Sequence, residues 1–542
     1  MARRLATPRI ALGLILLGAL AVRLWGVGSG LPFVYNLDEY AHFVPGAARM
    51  TGGSLNPHYF QNPPGFTYVL HGVFSVFSLL GLMHASVRAT LESDPTSLYV
   101  IGRVVTAVFG VAAVGVLYVA ARRLYGAAVA LVTAALLAFT FLPVFYSHFA
   151  LNDVPTLLPL ALGFVGLAGI STRGRRVDYV VAGLGLGLAT ATKYTAAGLA
   201  VSIVIAAVIR MRDDRNATRE HVVNLLVSAG VALAAFVALN PYAVLDPGDF
   251  WGGVSRQQRV SAEVAKLGTD DTTGWRYYLW TLTWGFGVVP CILAVAGGVV
   301  ALRRNWRTAL PWVAFAVVVW LFMGSQERFY ARWFLPEYPV LAVFAAVAIV
   351  ALANLVTARW RTVAGIAIGV VAFAQPIVWM VHSDLVLRRD DTRLLARVWL
   401  AEHLQPGDKL VAELIASPPY FNEGGTRSGR PLFDLYPQPT GSEIERYATT
   451  LRPSTIETYA ANGYCYVMVG SIVRDRALKD PDAPADAVAY YRALATGAER
   501  VATFSPVRSG ATVPKFNFDI SYNWYPLTYV RPGPVIEIYR VC

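Results

Sequence analysis

The chain has few charged residues for its length. Charged side chains make up 15% of its 542 residues, against about 25% in soluble globular proteins. Hydrophobic residues make up 56%, and the mean hydropathy is +0.48. Apolar runs of about 15 to 22 residues recur between Ile10 and Val381, and each is near the length that crosses about 30 Å of hydrocarbon. This composition excludes a soluble globular chain and predicts a polytopic α-helical membrane protein.

Several motifs of soluble enzymes are also absent. The sequence has no P-loop and no glycine-rich dinucleotide fingerprint, so no site for ATP or a nucleotide donor is visible. No His/Cys cluster has zinc spacing, and no Gly-x-Ser-x-Gly elbow occurs. Of only three cysteines, Cys465 and Cys542 are candidates either for one disulfide in an oxidising compartment or for two unpaired residues.

The net charge of +12 comes mainly from arginines that cluster between the apolar runs. This distribution is typical of membrane topology. The clusters are Arg3, Arg4 and Arg9; Arg122 and Arg123; Arg173, Arg175 and Arg176; Arg210, Arg212, Arg215 and Arg219; Arg303, Arg304 and Arg307; and Arg359 and Arg361. The positive-inside rule puts them all in the cytoplasm. We therefore predict about eleven spans in the plasma (inner) membrane, a cytoplasmic N-terminus, an outer C-terminus and no nucleic-acid partner.

The chain divides into two predicted domains. Residues 1–382 form a transmembrane domain whose first outer loop is 28–98. Within that loop the apolar stretch 65–83 is predicted to be a juxtamembrane or re-entrant helix, since a span there would move the later arginine clusters outside. Residues 383–542 are richer in charge, proline and glycine, and we expect a soluble extracytoplasmic α/β domain. Its predicted strands are 409–414, 464–469, 501–504 and 535–539.

Three acids lie at the predicted outer face. Asp38 and Glu39 follow the first span, and Asp153 ends a later span. Acids beside lipid are costly and usually functional, and a carboxylate beside a low-dielectric wall is suited to take a proton from a hydroxyl nucleophile. The alternative for Asp38 and Glu39 is a pair of interfacial acids that face water or cap a helix beginning at Tyr40. The alternative for Asp153 is a cap for the helix that starts at Pro155.

Cations on the outer face run against the positive-inside bias and so invite a functional interpretation. Lys193, between two short apolar runs, needs an anionic partner such as a lipid phosphate or a site carboxylate, unless it snorkels to the interface. Arg328 and Arg332 match phosphate oxygens, with pairing to Glu327 or Glu337 as the alternative.

Other residues near these groups have weaker signals. Tyr40 and His42 follow the acid pair and are candidates to position substrate, with packing or interfacial anchoring as the alternative. Arg256, Arg259 and Lys266 are expected to be solvated loop charges.

An ordered set of motifs extends over nearly the whole chain. After the acid pair come QNPPG, GRVVTAVFGVAAVGVLYVAARRLYG, an Asn-Asp, GLGLGLATATKYTA, RFYARWFLPEYPVLA and DTRLLARVWLAEHLQPGDK. This set resembles the GT-C integral-membrane glycosyltransferases, and within them it is most similar to the bacterial protein-mannosyltransferase and aminoarabinose-transferase group.

The resemblance implies an inverting transfer of a sugar from a polyprenyl-phosphate donor to an acceptor hydroxyl on the outer face. Asp38 matches the general base, and Glu39 and Asp153 match the further acidic positions. Lys193, Arg328 and Arg332 match the residues that hold the donor phosphate. A divalent cation between Asp38 and Asp153 is compatible with this chemistry but is not required by it.

The sequence also departs from the group. Where the aminoarabinose branch has Lys-Pro-Pro, this chain has Asn62-Pro63-Pro64. The loss of a cation near the donor weakens the case for aminoarabinose as the sugar. The acceptor is open among lipid, glycan and protein, although the extra carbohydrate-binding repeats of eukaryotic protein mannosyltransferases are missing. The competing hypothesis is a transporter or flippase of a lipid-linked or ionic substrate, against which the sequence shows no internal repeat.

Overall fold

The architecture is helical as far as His403 and mixed beyond it. A computed structural model describes residues 2–263, 273–437, 450–479, 483–520 and 523–542, with side chains from residue 8 onward. In chain order the first helices are α1 (Ala2–Leu24), α2 (Val44–Met50), α3 (Gly65–Leu79), α4 (Val87–Ser93), α5 (Thr96–Phe139), α6 (Phe141–Tyr146), α7 (Leu157–Thr172), α8 (Arg176–Thr192), α9 (Leu199–Asp213), α10 (Thr218–Leu239), α11 (Tyr242–Leu245), α12 (Pro247–Glu263), α13 (Gly274–Leu282), α14 (Val288–Gly324), α15 (Tyr338–Ala353), α16 (Arg361–Leu387) and α17 (Thr392–His403).

The described residues contain six helical stretches that are long and apolar enough to cross a membrane. Two long helices are broken internally, α5 at Gly126, whose φ of 84° suits glycine, and α14 at Asn305. Both breaks coincide with arginine clusters that the sequence placed at membrane ends. The expected polytopic helical architecture is therefore confirmed, while the number of about eleven spans stays a prediction.

Residues 28–98, which the sequence predicts to be the first outer loop and which keep that name below, pack closely against the transmembrane helices. Helix α3 covers most of the apolar stretch at 65–83 and buries Phe66, Leu70 and Phe74. At its first residue, a Cβ on Gly65 would lie 2.4 Å from the carbonyl oxygen of Ala191. Only glycine allows this approach, which brings the loop against the end of α8, where Lys193 follows.

The C-terminal region folds around a five-stranded sheet with the strand order β2-β1-β3-β5-β4. Its elements are β1 (Lys409–Ala412), β2 (Asp434–Leu435), α18 (Ser454–Ala461), β3 (Tyr466–Gly470), α19 (Ser471–Lys479), α20 (Ala485–Gly497), β4 (Glu499–Phe504) and β5 (Ile536–Arg540). Strand β1 pairs in parallel with β2 and β3, and β5 is antiparallel to β3 and β4. The predicted α/β domain is confirmed; β2, with two residues, is too short to give a sequence signal.

The two regions exchange segments. Phe33 of the first outer loop packs edge-on against Tyr420 in the C-terminal core, with ring centroids 5.6 Å apart. Conversely, Tyr525 and Tyr529 of the C-terminal region pack in the transmembrane core. Within the C-terminal region Cys465 and Cys542, whose pairing the sequence left open, form a disulfide.

A buried acid lies after β1. Glu413 accepts hydrogen bonds from the Tyr491 hydroxyl at 2.6 Å and from the Gly470 amide at 2.7 Å. Burial, opposed by these two hydrogen bonds, raises the pKa of the Glu413 carboxyl to about 8. The folded state therefore keeps a proton that the unfolded state loses from about pH 4.5 upward, and stability falls as the pH rises toward 8.

Glu413→Gln should remove this pH dependence, because the amide is uncharged and fits the same two partners. We expect the melting temperature of the C-terminal domain to fall between pH 5 and pH 8 by roughly 5 °C more in the native protein than in the variant. Thermal unfolding in detergent measures this, with the exposed Glu457→Gln as control. An equal pH dependence in Glu413→Gln and the native protein would contradict the assignment.

Candidate functional site

A polar cleft lies between the first outer loop, the segment before α7, the end of α8 and the segment before α15. Six of the eight predicted site residues line it, and they come from four separate parts of the chain. They are Asp38, His42, Asp153, Lys193, Arg328 and Arg332.

Asp38 is held at the cleft by a short local turn. The side-chain oxygen of Asn36 accepts hydrogen bonds from the amides of Asp38 and Glu39, each at 3.1 Å. A π-helical turn, Glu39–Phe43, follows at once. The Asp38 side chain remains 43% exposed, the most accessible acid of the cluster, so a substrate entering the cleft meets this carboxylate.

Asp153 and Lys193 form a buried ion pair deeper in the cleft. Lys193 Nζ donates to Asp153 Oδ1, and both side chains are less than a tenth exposed. The neighbouring Asn152 donates its side-chain amide to the Thr192 carbonyl at 2.7 Å, which ties the segment before α7 to the end of α8. A buried lysine and a buried carboxylate each need such a partner at membrane depth.

Arg332 connects the two acids. Its Nη2 donates to Asp38, and its Nε lies 3.7 Å from Asp153 Oδ2. The guanidinium also lies over the Tyr330 ring, 5.1 Å from the centroid. The resulting charge cluster alternates in sign along Asp38, Arg332, Asp153 and Lys193, so two acids and two bases offset each other.

Glu39 points away from the cleft, although it adjoins Asp38. It forms a two-point ion pair with Arg103, with both contacts at 2.8 Å and both side chains buried. Glu39 also accepts from the Ala150 amide, and Arg103 donates to the carbonyls of Val27 and Ser29. This pair fastens the first outer loop to α5 and to the segment that carries Asp153.

Tyr40 also lies outside the cleft lining. Its ring is 4.4 Å from the guanidinium carbon of Arg427 in the C-terminal region. The charges at Arg256 and Arg259 are exposed on α12, as expected of solvated residues, while Lys266 lies outside the described residues.

His42 and several residues without a sequence prediction complete the lining. The His42 and Tyr59 rings stack with centroids 4.1 Å apart and planes 5° from parallel. Burial lowers the pKa of His42, with the Asp38 charge opposing, so the imidazole is neutral at pH 7. Gln61 and Asn62 of the QNPPG motif, together with Trp333, face the same space. The QNPPG motif could have indicated these two residues from the sequence, because two polar residues followed by two prolines are typical of a defined turn.

The carboxylates that could bind a divalent cation in this cleft already have cationic partners. Asp38 and Asp153 are the two carboxylates of the cleft lining, and both are paired with Arg332 or Lys193. Within the described ranges no group of three His, Cys, Asp or Glu side chains is arranged to hold a metal. A divalent cation bound here would have to displace Arg332 and Lys193 from these two carboxylates.

Comparisons with known proteins agree with this architecture. Residues 98–240 match the sequence profile of the family described as dolichyl-phosphate-mannose-protein mannosyltransferase. That stretch includes Arg103, Asp153 and Lys193. No curated protein sequence matches the chain.

Solved structures share the fold. The Archaeoglobus fulgidus oligosaccharyltransferase superposes with a TM-score of 0.58 at 13% identity, covering 89% of this chain and 72% of that one. ArnT from Cupriavidus metallidurans, bound to undecaprenyl phosphate, gives 0.52 at 17% identity and covers 97% of both chains. AglB from A. fulgidus, with an inhibitory peptide and a dolichol-phosphate, gives 0.54 at 14%, covering 97% and 77%.

The chain thus has the fold of the GT-C integral-membrane glycosyltransferases, and the resemblance noted in its sequence is confirmed.

The buried pair of Glu39 and Arg103 should matter for folding. Glu39→Gln leaves the Arg103 charge buried with its carboxylate removed, so we expect a loss of about 3 kcal/mol or more in unfolding free energy. Thermal unfolding of the purified protein in detergent measures the loss. The exposed Glu92→Gln, in the same loop, serves as control. A melting temperature equal to that of the native protein would contradict this assignment.

Proposed function

We propose that the protein is an inverting glycosyltransferase that moves one sugar from a polyprenyl-phosphate carrier to an acceptor hydroxyl on the outer membrane face. The observation that carries this proposal is the cleft in which Arg332 and Lys193 alternate with Asp38 and Asp153. A reaction with a phosphate leaving group needs cations to stabilise the departing charge, and a hydroxyl nucleophile needs a base. This cleft contains both kinds of group. The fold shared with structures that hold undecaprenyl phosphate and dolichol-phosphate supports the same donor class.

The donor phosphate would bind to the cations of the cleft. Arg332 presents a planar fork that matches phosphate oxygens, and Lys193 offers a compact charge from the opposite side of Asp153. Arg328 lines the same cleft. As the bond between the anomeric carbon and the phosphate oxygen breaks, negative charge grows on the phosphate, and these fixed cations stabilise it.

Asp38 would act as the general base. In the structure its carboxylate accepts from Arg332, so that oxygen is occupied. A phosphate that draws the Arg332 guanidinium toward itself frees this oxygen to accept a proton. The acceptor oxygen then attacks the anomeric carbon, its proton passes to Asp38, and polyprenyl phosphate leaves with the bonding electrons. Asp153 keeps Lys193 and Arg332 oriented throughout.

The aromatic side of the cleft would hold the sugar. The stacked pair of His42 and Tyr59, with Trp333, presents flat apolar faces beside the polar groups of Asn62 and Gln61. This chemistry suits a hexose or a pentose, and the acceptor is proposed only as a hydroxyl of a lipid, glycan or protein. In this mechanism the side-chain cations supply the charge that a divalent ion would otherwise provide.

Asp38→Asn tests the base directly. We expect transfer to fall about 1,000-fold while binding of undecaprenyl phosphate persists, because the amide cannot take the proton. The assay follows radiolabelled sugar leaving a panel of polyprenyl-phosphate donors, with purified protein and an envelope extract as acceptor. Glu327→Gln, an exposed acid of the outer loop, should keep full activity. Normal turnover by Asp38→Asn would sink the base assignment.

Arg332→Gln tests the phosphate site. Loss of the guanidinium should weaken binding of sugar-free undecaprenyl phosphate about tenfold or more, because a charge-assisted contact to the phosphate disappears. Calorimetric titration measures the affinity. Arg256→Gln removes the same charge from an exposed position on α12 and should bind like the native protein. If both variants bind alike, the phosphate lies elsewhere.

A further inference from the structure

Part of the C-terminal region reaches into the transmembrane domain beside the cleft. We call Phe518, Asp519, Asn523 and Trp524 the wedge. The first three are less than a tenth exposed, and they lie between β4 and β5 in the chain. The sheet of the C-terminal domain does not need this excursion for its pairing, and the mechanism above does not use it.

The wedge is fixed by polar contacts to two helices of the region before residue 383, α13 and α6. The Tyr277 hydroxyl of α13 donates to Asp519 at 2.8 Å. The Asn523 amide also donates to Asp519, and the Tyr146 hydroxyl of α6 donates to the Asn523 carbonyl oxygen. A buried carboxylate holds only where donors satisfy it, so this network specifies one position for the segment.

Aromatic contacts anchor the far end of the wedge. Trp524 lies against Trp284 with ring centroids 5.9 Å apart and meets Trp379 of α16 edge-on at 4.9 Å. Polar and aromatic contacts together hold the wedge residues as an insert among α6, α13 and α16.

From this insert a short chain of rings leads to the charge cluster. Phe518 meets the Tyr330 ring edge-on, with centroids 5.7 Å apart, and Tyr330 lies beneath the Arg332 guanidinium. On the preceding residue, the Phe329 ring packs 4.4 Å from Tyr277, the residue that holds Asp519. The segment before α15 therefore meets the wedge directly at Tyr330, and indirectly at Phe329 through Tyr277.

We propose that the wedge positions Arg332, so that the C-terminal domain acts on the donor-phosphate site through Phe518 and Tyr330. Arginine has many rotamers, and Arg332 must face Asp38 and Asp153 at once. A fixed Tyr330 ring restricts the guanidinium to the plane that meets both. Phe518 is a positioning residue and contacts no reacting atom. The ligand part of this inference rests on the proposed function.

The test uses the full chain with Phe518→Ala. Binding of undecaprenyl phosphate should weaken about tenfold, since an unsupported Arg332 samples unproductive rotamers. Amide hydrogen exchange at residues 328–335 should quicken, while β3 and β5 exchange at native rates. Phe518→Tyr keeps the ring and should stay within about twofold of the native affinity. Val467→Ala, buried in β3, weakens the domain away from the wedge and should leave affinity and exchange at 328–335 unchanged.

The outcomes separate this inference from the proposed function. If Phe518→Ala binds and exchanges like the native protein, the positioning role is wrong and the proposed function stands. The role is equally wrong if Val467→Ala reproduces every effect of Phe518→Ala, because general weakening of the domain then accounts for them. If the native protein does not bind undecaprenyl phosphate, the proposed donor is wrong. Exchange at 328–335 then decides alone whether the wedge supports the segment.

Discussion

The structure around the cleft depends on mutual neutralisation of four buried or half-buried charges. Lys193, Asp153, Arg332 and Asp38 come from segments far apart in the sequence, and each is costly beside a membrane unless it is paired. Their pairing closes the end of α8 onto the segment before α7 and brings the first outer loop to the segment before α15. The fold holds these segments together, and the charges fix the register in which they meet.

A second ion pair, between Glu39 and Arg103, stabilises the loop that carries Asp38. Glu39 adjoins Asp38 in sequence but turns inward to Arg103, where it also accepts from the Ala150 amide. The two neighbouring acids therefore have different positions: Glu39 anchors the loop, and Asp38 faces the cleft. Because the loop is anchored one residue from Asp38, the accessible carboxylate is held without using its own contacts for the purpose.

The sequence allowed the parts of the cluster to be predicted but not their pairing. Asp38, Asp153, Lys193 and Arg332 stand out because ionisable residues are rare in apolar surroundings. Nothing in the order of residues shows that Arg332 meets Asp38 across 294 positions. Nor does it show that Glu39 turns inward, since neighbouring residues in a loop have no fixed periodicity. Long apolar runs and four strands were predictable, whereas the wedge has neither helical nor strand spacing and gives no such signal.

Under the proposed function, the pairing of Arg332 with Asp38 would also limit hydrolysis of the sugar donor by water. A free carboxylate at the mouth of a cleft could activate water as readily as an acceptor hydroxyl. With Arg332 donating to it, the Asp38 carboxylate is occupied and less available as a base. A donor phosphate is the ligand best able to compete for the guanidinium, since it offers a charged, forked set of oxygens in the same space. Under the proposed function, the base would therefore become effective only once the donor is bound.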